Sequence, residues 1–152
     1  MQKDFDRWNK RKKRIEAYEK HREVYFDERE VWWAYAGLNV GYEQDGKGSL
    51  FLRPVLIIRK FNKHLMTAVP LTTRLKGNPY YLPCAVSDGM ARMAIVSQVK
   101  ALSSKRLYTK IGFITTLEHE KIKNAVKAAL DGIPHISGAD NPAAEPEGHL
   151  YP

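Results

Sequence analysis

Two short segments of this sequence carry residue types that could hold a phosphate group. Arg53 lies at the start of an apolar run, with no acidic residue within four positions on either side. Thr72-Thr73-Arg74 follows another apolar run, so two hydroxyls and a second guanidinium emerge together. A guanidinium is a rigid fork of donors matched to phosphate oxygens. The alternative is a surface arginine packed along its stem and ordinary hydroxyls in a turn.

The loop Gly41-Tyr42-Glu43-Gln44-Asp45-Gly46-Lys47 matches the first part of a nucleotide-binding P-loop. Gly48 stands where Ser or Thr would hold magnesium, and two carboxylates lie where backbone amides would cradle phosphates. A strand-like run, not a helix, comes after the loop. We therefore reject a nucleoside triphosphate site and expect a loop beside a basic surface.

Other chemistries have little support. The five histidines are scattered, and a single cysteine excludes a zinc-finger arrangement. No serine nucleophile elbow is present. Cys84 could be a nucleophile, but a buried structural thiol is the favoured reading. His119, in the first turn of a predicted helix, is expected to be exposed.

The elements that would position these residues are mostly short strands. Aromatic and β-branched runs separated by turn residues predict a compact small barrel. Strands are predicted at residues 30–35, 50–58, 65–71, 80–82, 93–96 and 109–114. Because Pro54 cannot donate to a ladder, the second strand should begin at a sheet edge or just after this proline. Thr115 and Glu118 have capping-box spacing, so a helix should follow and stop at Gly132.

Charge divides the 152-residue chain, whose net charge is +8, into three parts. Residues 1–30 carry ten basic and eight acidic side chains, residues 31–130 carry fifteen and five, and residues 131–152 carry none and four. The positive field therefore belongs to the middle, and such a field favours a polyanionic partner. We predict a charged helical extension at 1–29, a folded domain at 30–131 and a disordered acidic tail at 132–152.

The extension should be a helix with a narrow apolar stripe. Its stripe comprises Phe5, Trp8, Lys12, Ile15 and Tyr18. The basic cluster at 10–14 is expected to be a solvated face, with phosphate contact as the alternative. The sequence has no apolar run long enough to span a bilayer, and its start is charged rather than signal-like. With its single cysteine, this favours a reducing cytoplasm.

Taken in order over about residues 30–130, these segments resemble the MazF/PemK (Kid) toxins of type II toxin–antitoxin systems. The matching pieces are Arg29-Glu30-Val31-Trp32-Trp33, Asn39 to Gln44, Arg53-Pro54-Val55-Leu56-Ile57, Val69-Pro70-Leu71-Thr72-Thr73, Ser97-Gln98-Val99-Lys100, Ser104-Lys105-Arg106-Leu107 and Lys110-Ile111-Gly112. The resemblance implies an α+β, mainly β fold, a small SH3-like barrel (CcdB/PemK-like) with a C-terminal helix. Here an extra N-terminal helix precedes it.

The resemblance also implies an activity and partners. It implies an mRNA interferase that cleaves single-stranded RNA without metal or cofactor, by attack of the ribose 2′-hydroxyl on the adjacent phosphate. Implied partners are a second copy of the chain in a homodimer and a cognate acidic antitoxin that covers the RNA groove, with DNA binding by the toxin–antitoxin complex. No membrane partner is implied.

By the same resemblance, Arg53 would hold the phosphate and is a candidate for the acid, Thr72 would contact a phosphate oxygen, and Glu43 is the candidate base. The implied RNA-binding residues are Tyr42, Gln44, Lys47, Thr73, Arg74 and Gln98. This sequence departs from the family at three places. Tyr42 replaces a small serine, Ser97 replaces an acidic residue, and Ile95 replaces the arginine of a Kid-type acid–base pair, so activity would rest on Arg53 and Thr72.

Two alternatives stay open at this point. A barrel of the same shape could bind nucleic acid or a protein without cutting, in which case RNA binding would weaken with salt and give no product. A toxin that poisons gyrase could share the fold, and a supercoiling assay separates that activity from ribonuclease activity.

Overall fold

The computed structural model describes residues 2–17 and 23–132. Within these residues, seven strands form one antiparallel sheet in the order β4-β5-β3-β2-β1-β7, and β6 pairs with β3 beside β5. The strands are β1 (Glu30–Tyr35), β2 (Leu52–Lys60), β3 (Leu65–Thr72), β4 (Tyr81–Ala85), β5 (Ala91–Ile95), β6 (Lys100–Ser103) and β7 (Leu107–Phe113). The helices are α1 (Phe5–Ala17) and α2 (Thr116–Leu130), and short 3₁₀ turns occupy Val96–Gln98 and Ser104–Arg106.

This mostly-β fold with one helix at each end confirms the predicted fold class. The sheet is not closed into a continuous ring: within the described part of the chain, β4 and β7 are its two ends. The prediction for the start of β2 is wrong, because β2 begins at Leu52 and lies between β1 and β3. Pro54 pairs with Trp33 of β1, whereas the ladder with β3 begins only at Val55. On the β3 side, the proline therefore lies beyond the ladder.

The sheet has an apolar core on each face, because successive residues of β2 point to opposite sides. Leu56 and Ile58 belong to the core that α2 covers, together with Ile122 and Ala125 of that helix. The predicted cap is present: the Thr115 hydroxyl accepts from the Glu118 amide at 3.1 Å.

His119 is buried, contrary to the sequence prediction. It lies one turn before Ile122 on the inner face of α2, and its exposure is 4%. Its Nε2 lies 3.1 Å from the carbonyl oxygen of Ile58. The imidazole therefore satisfies a polar atom inside the core rather than facing solvent.

The second core lies on the opposite face of the sheet and leads into an open cleft. Val55 and Ile57 contribute from β2, Ala34 from β1, Ala68 from β3 and Leu102 from β6. Small alanine side chains leave space toward one end of this face, where the loop between β1 and β2 rises over the sheet.

Helix α1 uses less of its predicted stripe than expected. Trp8 is buried and Ile15 is half-buried, but Phe5 is 47% exposed and Tyr18 lies outside the described residues. Four of the five cations at 10–14 are exposed, in agreement with a solvated face. The predicted tail begins at Gly132, and its residues 133–152 also lie outside the described part. No helix among the described residues is long and apolar enough to cross a membrane.

A candidate RNA-binding cleft beside the β1–β2 loop

A cleft of about 260 Å³ opens between the β1–β2 loop and the second face of the sheet. Its floor is apolar and its rim is polar, which is the usual arrangement of a ligand site. The lining residues are Ala34, Ala36, Glu43, Gln44, Arg53, Val55, Ala68, Pro70, Ser97, Gln98, Val99, Lys100 and Leu102. Four of the residues singled out from the sequence therefore meet here, although they come from three separate segments.

Arg53 is held at the cleft by two main-chain carbonyls. Its Nε donates to the oxygen of Asp45 at 2.6 Å, and Nη1 donates to the oxygen of Leu71 at 3.1 Å. Burial lowers the pKa of the guanidinium, with the Asp45 carboxylate acting in the opposite direction. Neither hydrogen bond neutralises the charge, because both acceptors are uncharged carbonyls. Arg53 is also one of the residues that line the cleft, and a guanidinium has five N–H donors, of which these two bonds use two.

The Thr72–Arg74 segment lies next to Arg53 but does not line the cleft. Thr72 directly follows Leu71, whose carbonyl receives the Arg53 guanidinium. The Thr72 hydroxyl accepts from the Arg74 amide at 3.1 Å, which closes a tight turn at the end of β3. Thr73 and Arg74 are exposed, and the positive charge of Arg74 contributes to lowering the Arg53 pKa.

Glu43 and Lys100 bring opposite charges to the rim of the cleft. Glu43 Oε1 accepts from the Val40 amide at 3.2 Å, which orients the carboxylate within the loop. Desolvation and the nearby charge of Arg106 lower the pKa of Lys100, and Glu43 partly opposes that effect. Arg106 itself donates to the carbonyl oxygen of Tyr35 at 2.8 Å, and burial lowers its pKa.

The sequence prediction missed Lys100 and Ser97 as cleft residues. Lys100 belongs to β6, a four-residue strand that was not predicted. Lys100 and Leu102 are two residues apart on a strand, so their side chains share one face. Assigning β6 would have placed Lys100 beside a core residue and marked it as a candidate.

Gln98 holds the loop in place. Its Oε1 accepts from the Gln44 amide at 3.3 Å, and its Nε2 donates to the carbonyl oxygen of Tyr42 at 3.1 Å. The 3₁₀ turn at Val96–Gln98 thereby fixes the loop over the cleft. The Tyr42 side chain is 56% exposed and does not line the cleft. Gln44 does line it.

Lys47 lies apart from these residues, at the base of the loop. Its amide donates to the carbonyl of Leu52 at 2.8 Å, and its own carbonyl accepts from the Leu52 amide at 3.0 Å. The exposed side chain does not line the cleft. These two hydrogen bonds close the loop at Leu52, the first residue of β2, and Arg53 follows directly.

The Cys84 thiol is separate from the cleft and is buried, as predicted. Burial raises its pKa to about 12, so the thiol stays protonated and is a poor nucleophile at neutral pH. Across residues 2–17 and 23–132, no group of three or more His, Cys, Asp or Glu side chains is arranged to hold a metal ion.

Comparisons with known proteins show which family and which solved structures this chain resembles. The family model for PemK-like, MazF-like toxins of type II toxin–antitoxin systems matches residues 27–130. The structure is similar to a crystal structure of MazF from Deinococcus radiodurans, with a TM-score of 0.57 and 19% identity over 72% of this chain and 99% of that one. The comparison with curated proteins gives no match.

Two similar structures contain an antitoxin. One is a mycobacterial endoribonuclease in complex with its cognate antitoxin, with a TM-score of 0.51 and 21% identity over 72% of this chain and 98% of that one. The other is a MazE–MazF complex from Deinococcus radiodurans, with a TM-score of 0.50 and 17% identity over 72% and 99%. At these identities the likeness concerns the fold.

Proposed function

This chain belongs to the PemK-like, MazF-like toxin family of type II toxin–antitoxin systems, and from that membership we propose that it is an endoribonuclease that cleaves single-stranded RNA. The observation that carries the proposal is the position of Arg53. Its guanidinium is fixed by the carbonyls of Asp45 and Leu71 at the rim of a cleft, with its charge left for an anion. The +10 balance of residues 31–130 adds a field that attracts a polyanion.

The reaction that fits these groups is attack of a ribose 2′-hydroxyl on the adjacent phosphate. Glu43 takes the 2′-hydroxyl proton, the 2′-oxygen bonds to phosphorus, and Arg53 stabilises the charge that develops on the phosphate oxygens. Thr72, beside the Arg53 anchor at Leu71, supplies a further donor to a phosphate oxygen. The bond from phosphorus to the 5′-oxygen then breaks, which leaves a 2′,3′-cyclic phosphate and a 5′-hydroxyl.

The leaving 5′-oxygen needs a proton, and Lys100 is the best donor at the rim. A guanidinium keeps its proton at ordinary pH, which makes Arg53 a poor acid. The lowered pKa of Lys100 brings the ammonium closer to the range in which it can give up a proton. Glu43, Lys100 and Arg53 all line the cleft, so a base and an acid are available at the site where Arg53 would hold the phosphate.

The RNA strand on either side of the cut phosphate would contact residues around the rim. Gln44 and Gln98 offer amide groups, Tyr42 offers an exposed ring for base stacking, and Thr73 and Arg74 extend the surface past Thr72. Lys47, at the base of the loop, would contact a more distant phosphate. One phosphate would react in the cleft while the neighbouring nucleotides contact the basic surface around it, an arrangement that a flexible single strand can adopt.

We assign the toxin a cognate acidic antitoxin, a homodimeric state and a cytoplasmic location. The same positive surface that attracts RNA also fits an acidic polypeptide, and a similar mycobacterial endoribonuclease has been solved with its antitoxin. An antitoxin that competes with RNA for Arg53 would explain how a cell tolerates the chain. Size measurement in solution tests the dimer, and a short acidic reading frame beside the gene tests the antitoxin.

The proposed activity is tested by incubating the purified chain with a defined single-stranded RNA in excess EDTA, and by inducing its expression in growing cells. The proposal predicts discrete RNA fragments and growth arrest. RNA that binds in a salt-dependent way but stays intact would identify a binding module instead. Growth arrest with intact RNA and inhibited DNA supercoiling would identify a gyrase poison.

A further inference from the structure

The segment that precedes the matched domain contacts the β1–β2 loop through the side chain of Lys3. The Lys3 ammonium donates to the carbonyl oxygen of Asn39 at 2.6 Å and to that of Gly41 at 3.3 Å. It also lies 2.9 Å from Oδ2 of Asp45. One side chain therefore joins three points of the β1–β2 loop, and these contacts connect positions 36 and 38 residues apart in the sequence.

Trp8 packs the same segment against the two ends of the β1–β2 loop. Its indole is 6% exposed and packs edge-on against Phe51, with the ring centroids 5.5 Å apart. It also fills the space beside Gly37, where a side chain on that residue would collide with the indole. Arg106, whose charge acts on Lys100, lies 5.9 Å from the Trp8 ring.

Asp45 links this segment to the cleft arginine. Its Oδ1 accepts from the Asn39 amide at 2.6 Å, and its Oδ2 faces Lys3. Its main-chain oxygen receives Nε of Arg53 at 2.6 Å. The neighbouring Gly46 amide donates to the main-chain oxygen of Gly37 at 2.7 Å, and Gly37 is the residue against which Trp8 packs. Any movement of Asp45 away from Lys3 would also move an acceptor that orients Arg53.

We propose that Lys3 and Trp8, in the segment before the matched domain, are positioning residues that hold the β1–β2 loop and Arg53 in the RNA-binding arrangement. The segment lies outside residues 27–130, so the family match does not account for it. The kinetic half of this inference rests on the proposed ribonuclease function. The structural half, that the segment orders the loop, does not.

The physical reason is conformational entropy. The loop after β1 carries Gly41, Gly46 and Gly48, and glycine-rich chain loses much freedom when it is ordered. If RNA had to order the loop, binding would lose that free energy. Contacts from Lys3 and Trp8 order the loop beforehand, so RNA meets Arg53, Glu43 and Gln44 already in place.

The test compares Lys3→Met with Lys10→Met, a change of an exposed lysine on α1 that removes the same charge. Hydrogen exchange is followed in peptides covering residues 38–46, and cleavage kinetics are measured on one defined RNA. In Lys3→Met we expect faster exchange in these peptides alone and a KM raised about fivefold, with kcat changed less. Lys10→Met should exchange like the unaltered protein, and Lys3→Arg should restore most of the loss.

Trp8→Ala provides a second, stronger variant, with circular dichroism to show that the sheet is intact. Unchanged exchange at 38–46 in both Lys3→Met and Trp8→Ala would overturn the inference, whatever the activity. Faster exchange with an unaltered KM would overturn the positioning role. Faster exchange in a protein that cuts no RNA would support the ordering of the loop and overturn the proposed function instead.

Discussion

Nε of Arg53 donates to the main-chain oxygen of Asp45 across 2.6 Å. This hydrogen bond connects the first residues of β2 to the loop that precedes them, so the orientation of the guanidinium depends on the loop conformation. The Asp45 carboxylate, which argues against a P-loop in the sequence, is the group through which Lys3 and Asn39 stabilise this loop. The loop and Arg53 therefore form one structural unit.

Replacement of Arg53 by alanine should reduce RNA cleavage by about 10²- to 10³-fold, because the charge on the phosphate loses its stabilising donor. The matched control is Arg59→Ala on the same strand, where the guanidinium is exposed and pairs with Glu28 at 3.3 Å. Cleavage rates and thermal unfolding are measured for both variants. If Arg53→Ala cleaves like Arg59→Ala while folded, the site is elsewhere.

The pH profile of cleavage should report Lys100. A proton donor loses activity as pH rises through its pKa, and a lowered pKa places this alkaline limb below the range of an ordinary lysine. Because Arg106 contributes to the lowering, Arg106→Gln should move the limb to higher pH. Lys121→Gln, on the exposed side of α2, is the control and should leave the profile unchanged. An alkaline limb that persists in Lys100→Met would exclude the assigned role.

Gly37→Ala should destabilise the protein by about 2 kcal/mol or more, because the added methyl collides with the Trp8 indole at a position where φ is +76°. The cost should shrink to about 1 kcal/mol in a Trp8→Ala background, where only the backbone strain is left. Urea unfolding of the two single variants and the double variant measures this coupling. Gly77→Ala, which meets nothing within 4 Å, is the control. Additive effects would show that Trp8 does not pack there.

Stability should fall at alkaline pH because of Cys84. Its pKa is raised by burial from the ordinary value of 9.0 to about 12. Between these values the unfolded chain has lost the thiol proton and the folded chain has kept it, so rising pH favours unfolding. From pH 8 to pH 10 the protein should lose about 1 kcal/mol more than Cys84→Ala. If urea titrations at the two pH values show that both proteins lose the same free energy of unfolding, a buried thiol is contradicted.

Much of the fold could be predicted because the strands carry strong local patterns. β1 has the predicted bounds, since its aromatic and β-branched residues leave no other interpretation. β6 was missed because four residues between two turns give too little periodicity. His119 was misplaced although it lies three residues before Ile122, a spacing that puts both on one helix face.

The cleft was only partly predictable, for a different reason. Arg53 stands out because a lone charge in an apolar strand needs an explanation. Lys100 lies on a strand that was not predicted, so its charge does not stand out against an apolar run. The hydrogen bonds of Lys3 and Gln98 to the loop join segments far apart in sequence, and most of them go to main-chain atoms. Because every residue has a main-chain carbonyl and nearly every residue a main-chain amide, the residue types in a sequence do not reveal which of these groups will accept or donate such a contact.

Cleavage of RNA by its own 2′-hydroxyl beside Arg53 is tested by comparing the products of two RNA strands. A defined RNA is compared with the same strand carrying a single 2′-deoxynucleotide at the mapped cut, in EDTA, and the new ends are identified by mass spectrometry. We expect a 2′,3′-cyclic phosphate and a 5′-hydroxyl from the first strand and no cut at that position in the second. Cleavage at the 2′-deoxynucleotide, or products with 5′-phosphate ends, would contradict it.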